Sequence, residues 1–182
     1  MKATAAANTV IFLDGPIGVG KTVLGRALAA HLGAEFVDRD DIPRPPGPWY
    51  GSVLSTCRAL EQKVVAACEQ QGLAVVAHPL RRREWVFYRE RLRLAGIRLI
   101  CVSLRATPEA ILSEGRGRRL EPGEAARMKL MVAEGYGNRP FADAVVDTDR
   151  APLAEATQAL VRQVTAALAR RSEMGVATDD RS

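Results

Sequence analysis

The chain has 182 residues, 47% of them hydrophobic and 26% charged, and a formal net charge of +5. That suits one domain with a substantial core, and no apolar run approaches membrane-spanning length. Arginine supplies most of the positive charge without forming a long basic stripe with interleaved aromatics, which argues against nucleic acid and for phosphate or carboxylate ligands.

Met1 to Ala7 carries one charged side chain and leads straight into a strand, so it does not read as a signal peptide. Thr9-Val10-Ile11-Phe12-Leu13 is a short β-branched apolar run, the pattern of a buried parallel strand. It enters Gly15-Pro16-Ile17-Gly18-Val19-Gly20-Lys21-Thr22, a complete G-x-x-x-x-G-K-T loop. In such a loop the backbone N–H groups around Gly15, Gly18, Val19 and Gly20 cradle phosphates, Lys21 reaches the β- and γ-phosphates, and the Thr22 hydroxyl serves Mg²⁺. Leu24, Leu28 and Leu32 then repeat at helical spacing up to Gly33. Strand, glycine loop and helix in that order point to nucleoside triphosphate binding.

Further along, strands are expected at Glu35–Asp38, Leu73–Ala77, Ile97–Leu104 and Ala144–Asp147. Helices are expected over Val53–Gln71, Arg82–Ala95, from the Thr107-Pro108-Glu109 cap, over Glu124–Glu134, and from Pro152 onward. Pro43–Pro48 reads as loop. The stretch 114–123, rich in glycine and arginine, reads as a short lid that brings Arg116 and Arg119 over a transferred phosphoryl group. Residues 1–170 therefore form a single domain, and 171–182 lack periodicity and read as a disordered tail. Repeated βα units predict an α/β three-layer sandwich around a five-stranded parallel sheet, the phosphate-loop nucleotide-binding fold. Cys57, Cys68 and Cys101 have no metal-ligand spacing and read as buried free thiols in a reducing cytoplasm. His31 reads as a surface residue.

What is missing narrows the class. No Asn-Lys-x-Asp segment reads guanine, no Leu-Ser-Gly-Gly signature is present, and the chain is short for a helical-lid ATPase. A small-molecule kinase needs little more than the core, an acceptor pocket and a lid.

Phe36-Val37-Asp38-Arg39-Asp40 resembles the Phe-x-Asp-x-Asp motif of shikimate kinases, and Asp38 to Pro43 is similar to the Asp-x-Asp-Asp-Leu-His-Pro segment of gluconate kinases. Arg58-Ala59-Leu60-Glu61 is similar to the Arg-x-x-Glu of shikimate kinases, and Arg139-Pro140 to that family's late substrate-binding arginine. The resemblance implies that Asp40 contacts the acceptor hydroxyl as base or orienting group and that Asp38 holds a Mg²⁺-bound water. It also implies that Arg58, steadied by Glu61, and Arg139 grip an anionic group, and that Arg150 and Pro152 flank adenine. Where shikimate kinases carry a run of glycines after the third strand, this chain reads Ala77-His78-Pro79-Leu80 and then Arg81-Arg82-Arg83. Side chains are expected to crowd the space that those glycines leave open. His78 is an acceptor contact or a structural histidine. The arginines bind an anionic acceptor or form a solvated helix start. The expectation is thus a monomeric, cytoplasmic, Mg²⁺- and ATP-dependent kinase of a small, anionic, hydroxylated metabolite. The alternatives are a nucleoside or nucleotide kinase stacking a base on Trp49, Tyr50 or Trp85, and a nucleotide-binding regulatory protein without catalysis.

Overall fold

The structure, a computed structural model, describes residues 8–43, 49–113 and 119–176, and the side chains of all of these except 49–52 and 171–176. Five parallel strands, β1 (Thr9–Asp14), β2 (Glu35–Asp38), β3 (Leu73–Ala77), β4 (Arg98–Arg105) and β5 (Ala144–Asp147), form one sheet in the order β2-β3-β1-β4-β5. The helices are α1 (Lys21–Leu32), α2 (Trp49–Gln71), α3 (Arg82–Leu94), α4 (Pro108–Leu112), α5 (Pro122–Ala133) and α6 (Leu153–Val176), with a 3-10 turn at Arg39–Asp41.

β1 is the centre of the sheet, and every one of its residues is buried. Successive strand side chains face opposite ways, so Val10 and Phe12 pack with Leu60 and Val64 of α2 and Tyr88 and Leu92 of α3. Ile11 and Leu13 face the other layer, with Leu24 and Leu28 of α1 and Leu160 and Val164 of α6. Three layers follow. Chain order reverses across β1, with β3 on one side and β4 on the other, so the connections diverge and leave a crevice beyond the carboxyl end of β1.

Some boundaries differ from the sequence reading. α2 begins at Trp49, four residues before the expected start at Val53. α6 runs on to Val176, past the expected limit at 170, since Arg171 to Met174 includes no proline or glycine to stop it. Leu54 on α2 and Val86 and Leu94 on α3 are exposed, outside the apolar faces of those helices. The lid segment lies largely outside the described residues, as does most of the Pro43–Pro48 loop.

The carbonyl of Leu104 near the end of β4 is approached closely by two glycines. A Cβ on Gly15 would stand 2.6 Å from that oxygen, and one on Gly137 would stand 2.8 Å from it. Gly137 also has φ +87°, in the left-handed region. The phosphate loop and the turn after α5 therefore both close onto the same strand end.

His78, which leaves β3, belongs to the core. Its N–H donates to the Leu13 carbonyl at 3.1 Å, and its ring lies against Phe12 and edge-on to Tyr88. Neither ring nitrogen has a hydrogen-bond partner. Burial, helped by the charges of Arg39, Lys21 and Arg81, pushes the imidazole down to about 3, so it is neutral.

Two consequences can be measured. Gly137→Ala adds a left-handed penalty and a clash with backbone, together about 2–4 kcal/mol. A thermal scan should then show the midpoint lower by roughly 5–15 °C, and an unchanged midpoint would mean that the strand end yields. For His78, an unfolded imidazole binds a proton below its ordinary value of 6.5 while the native one refuses it down to about 3. Stability present above the ordinary value is therefore lost as pH falls through that window, by about 1.4 kcal/mol per pH unit. Denaturant titrations at several pH values should give His78→Asn a shallower slope by about one proton. An equal slope in both proteins would assign the proton uptake elsewhere.

Candidate active site

The crevice is a cavity of about 790 Å³, within the range of small-ligand sites. One wall is the phosphate loop. Lys21 Nζ donates to the carbonyls of Gly15 at 2.9 Å and Pro16 at 2.7 Å. Val19 is buried, its carbonyl accepting the Thr148 hydroxyl at 3.0 Å, which ties the loop to the end of β5. Gly18 lies under Ile111 and Leu120, so the approach to α5 passes over the loop.

Thr22 and Asp38 come together. The Thr22 hydroxyl donates to Asp38 Oδ2 at 2.9 Å, joining the first turn of α1 to the end of β2. The other oxygen, Oδ1, accepts the backbone N–H of Asp40 at 3.0 Å and starts the 3-10 turn. That turn places Asp40 on the cavity wall with a side chain 89% exposed, next to Arg39 at 4.0 Å. The spacing of the two aspartates thus has a local cause: one caps the turn, and the other is carried outward by it.

The acceptor side is built from α2, α3 and α5. Thr56, Cys57, Arg81, Glu84, Tyr88 and Tyr136 face the cavity. Sequence reasoning gave none of these a settled role. After β3, Ala77, His78 and Pro79 line the cavity where crowding was expected, while Leu80 is fully buried in the core. Glu84 accepts the Arg81 N–H at 2.8 Å, and burial raises its carboxyl above the ordinary range, against the pull of Arg81 and Arg39.

Asp14 was also missed. It ends β1 with no exposed surface, its Oδ1 accepting the Leu80 N–H at 2.7 Å and its Oδ2 lying 3.7 Å from Arg139 Nε. Burial raises its pKa, while the N–H groups of Leu80 and Gly137 and the Arg139 charge oppose the rise. The sequence signal was available: an acid at the end of an otherwise apolar strand, directly before the first loop glycine.

Three expected substrate contacts are placed elsewhere. Arg58 is exposed on α2 and does not line the cavity, because it stands one position off the buried stripe that includes Cys57, Leu60 and Val64. Glu61 binds Arg91 Nε at 2.8 Å across to α3 and does not steady Arg58. Arg139 braces Asp14, stacks 3.6 Å over the Tyr136 ring and donates to the Glu134 carbonyl at 3.0 Å, so its charge is engaged behind the cavity wall. Arg119 is exposed just before α5, and Arg116 lies outside the described residues.

At the nucleotide end, Arg150 is exposed and lies 3.4 Å from Asp147, and Pro152 is exposed before α6. Arg105 donates to Asp147 at 2.7 Å and holds its carboxyl below the ordinary range. Asp149 accepts the Thr107 N–H at 2.8 Å, so the segments after β4 and β5 are stapled together. Of the aromatics proposed for a base, Trp85 is buried and stacked on Phe141 at 4.9 Å, and the side chains of Trp49 and Tyr50 lie outside those described.

No protein-family model matches the chain. It is 36% identical to the shikimate kinase of Aeromonas salmonicida over 76% of this chain and 87% of that one. It is 31% identical to the shikimate kinase of Symbiobacterium thermophilum, over 91% and 99% of the two chains. In fold it is similar to a gluconokinase from Sinorhizobium meliloti, with a TM-score of 0.67 at 21% identity, covering 94% of this chain and 97% of the other. The chain belongs to the shikimate kinase family and is an ATP-dependent phosphotransferase acting on a small metabolite.

Proposed function

We propose that the protein moves the γ-phosphoryl group of ATP, with Mg²⁺, to a hydroxyl of a small anionic acceptor held between the phosphate loop and the wall formed by α2, α3 and α5. The observation that carries this reading is the meeting of Thr22 and Asp38 at 2.9 Å, with Lys21 and Asp40 on the same cavity.

Thr22 and Asp38 supply two hard oxygen donors, which suit Mg²⁺. Among the described residues no cluster of three or more His, Cys, Asp or Glu could enclose a metal. One or two protein oxygens completed by phosphates and water is the ordinary Mg²⁺ arrangement, so the residues fit. When bound there, the ion neutralises charge on the β- and γ-phosphate oxygens.

The protein's own groups do the remainder. The loop N–H groups hold the phosphates, and Lys21 exchanges the Gly15 and Pro16 carbonyls for phosphate oxygens as ATP binds. The acceptor oxygen bonds to the γ-phosphorus as the bond to the bridging β–γ oxygen breaks. The hydroxyl proton passes to the Asp40 carboxylate, and ADP leaves. Asp40 can serve because its turn is fixed by Asp38 while its own oxygens stay open to the cavity. Arg119 stands near the loop's cover and adds positive charge as that segment closes.

The three buried free cysteines are in keeping with a reducing cytoplasm. No described helix is long and apolar enough to cross a membrane.

The test is ADP release with Mg²⁺ and ATP against shikimate, gluconate, nucleosides and nucleoside monophosphates. Asp40→Asn should lower acceptor-stimulated kcat by about 10²-fold or more with the KM for ATP unchanged. Turnover that survives this change would remove Asp40 from the chemistry. Lys21→Met loses charge-assisted hydrogen bonds of about 1.5–3 kcal/mol, so ATP should bind about 10–100-fold more weakly. Wild-type affinity in that variant would contradict the phosphate-loop assignment.

A further inference from the structure

Three arginines line the cavity, and one differs from the others in its partners. Arg39 lies 4.0 Å from Asp40, and Arg127 lies 3.5 Å from Glu134. Among the described residues no carboxylate pairs with the Arg81 guanidinium at that range. Its strongest neighbour is instead Tyr136 on the same cavity, whose phenol carries no formal charge.

Arg81 is nonetheless held at both ends. Its backbone N–H is fixed by Glu84, which sets the start of α3. Its side-chain partner Tyr136 is buried, with the Arg139 guanidinium stacked over the ring. The Glu84 and Glu134 charges act on it from a distance. A guanidinium positioned by rigid neighbours and in ion-pair contact with none of them loses little rotamer freedom when it takes a bidentate anion. The neighbouring stretch does not compete for that role, since His78 lines the cavity as a neutral imidazole and Leu80 is buried.

Glu84 stands on the same wall with its side chain 15% exposed. A carboxylate there accepts hydrogen bonds from hydroxyl or ammonium groups and repels a second anionic group. Resting on the kinase reading above, we propose that Arg81 anchors the carboxylate of a hydroxy-acid acceptor, and that Glu84 accepts its hydroxyl donors and turns away acceptors already phosphorylated. The anion subsite thereby moves from α2, where Arg58 is exposed, to the connection between β3 and α3.

The test measures binding without turnover. Full-length protein loaded with ADP is titrated calorimetrically with shikimate, gluconate, their methyl esters and gluconate 6-phosphate. In the wild type, at least one acid should bind about 10-fold or more tightly than its ester, and the phosphorylated acid more weakly than gluconate. Arg81→Met should weaken that acid about 10–100-fold and abolish the difference between acid and ester, with ADP affinity unchanged. Arg81→Lys should recover part of it, and Glu84→Gln should admit the phosphorylated acid. If no acid outbinds its ester in the wild type, or if Arg81→Met keeps the preference, the subsite is not at Arg81. These outcomes stand apart from the kinase reading. ADP release with an acid whose KM ignores Arg81→Met would sink the subsite and keep the enzyme, whereas an acid preference without turnover would do the reverse.

Discussion

A single buried carboxylate organises the reactive end of this molecule. Asp14 sits at the last position of the central strand, where a charge with no access to water costs several kcal/mol unless it is matched. Three segments surround it: the Leu80 N–H after β3 donates to Oδ1, and the turn at Gly137 after α5 and the Arg139 guanidinium, 3.7 Å from Oδ2, oppose the rise of its pKa. At that separation the arginine contributes as a charge and not as a hydrogen-bond donor. The next residue, Gly15, begins the phosphate loop and closes on the Leu104 carbonyl, which Gly137 also approaches. One side chain therefore binds together the loop that holds phosphate, the connection that lines the acceptor wall, and the turn that carries Tyr136.

The two halves of the cavity are built on different physical terms. At the donor end, recognition rests on backbone: N–H groups of a glycine loop, a helix start, and one lysine and one threonine at fixed spacing. Such a site reads phosphate and tolerates little variation, since each glycine stands where a Cβ would clash or the backbone is left-handed. At the other end, the cavity is walled by side chains of mixed sign, with Arg39, Arg81 and Arg127 opposed by Asp40, Glu84 and Glu124. Side chains can be exchanged without disturbing the sheet. That division explains how one scaffold can share its chemistry with relatives of modest identity while shaping its own acceptor wall.

The donor half was legible because its determinants are local. Strand periodicity, the spacing from Gly15 to Thr22 and the capping residues all act within a few positions, and β2, β3 and β5 fall where their patterns place them. The meeting of Thr22 with Asp38 follows from the strand order β2-β3-β1, which the βα alternation by itself does not dictate. The acceptor half was less legible because its determinants are non-local. Arg139 carries the right residue type, but Asp14 lies 125 positions earlier in the chain and claims its charge. Glu61 could have served Arg58 one turn away, yet the angle of α2 against α3 offers it Arg91 instead. No spacing rule within one helix reveals a partner on another.

The replacement of a glycine run by Ala77-His78-Pro79-Leu80 shows how the sheet absorbs side chains that seem to obstruct a site. Leaving β3, His78 continues the strand's pairing through its N–H to Leu13 and folds its ring among Phe12 and Tyr88. Leu80 does the same one step later, with its N–H on Asp14 and its side chain in the α2–α3 core. The neutral state that burial imposes on His78 is what permits this, because an imidazolium in that apolar setting would have to be paired. With His78 neutral and Leu80 in the core, Arg81 at the mouth of the connection and Glu84 one turn into α3 are the charges this stretch presents to the cavity. That burial thus determines which charged side chains face the cavity.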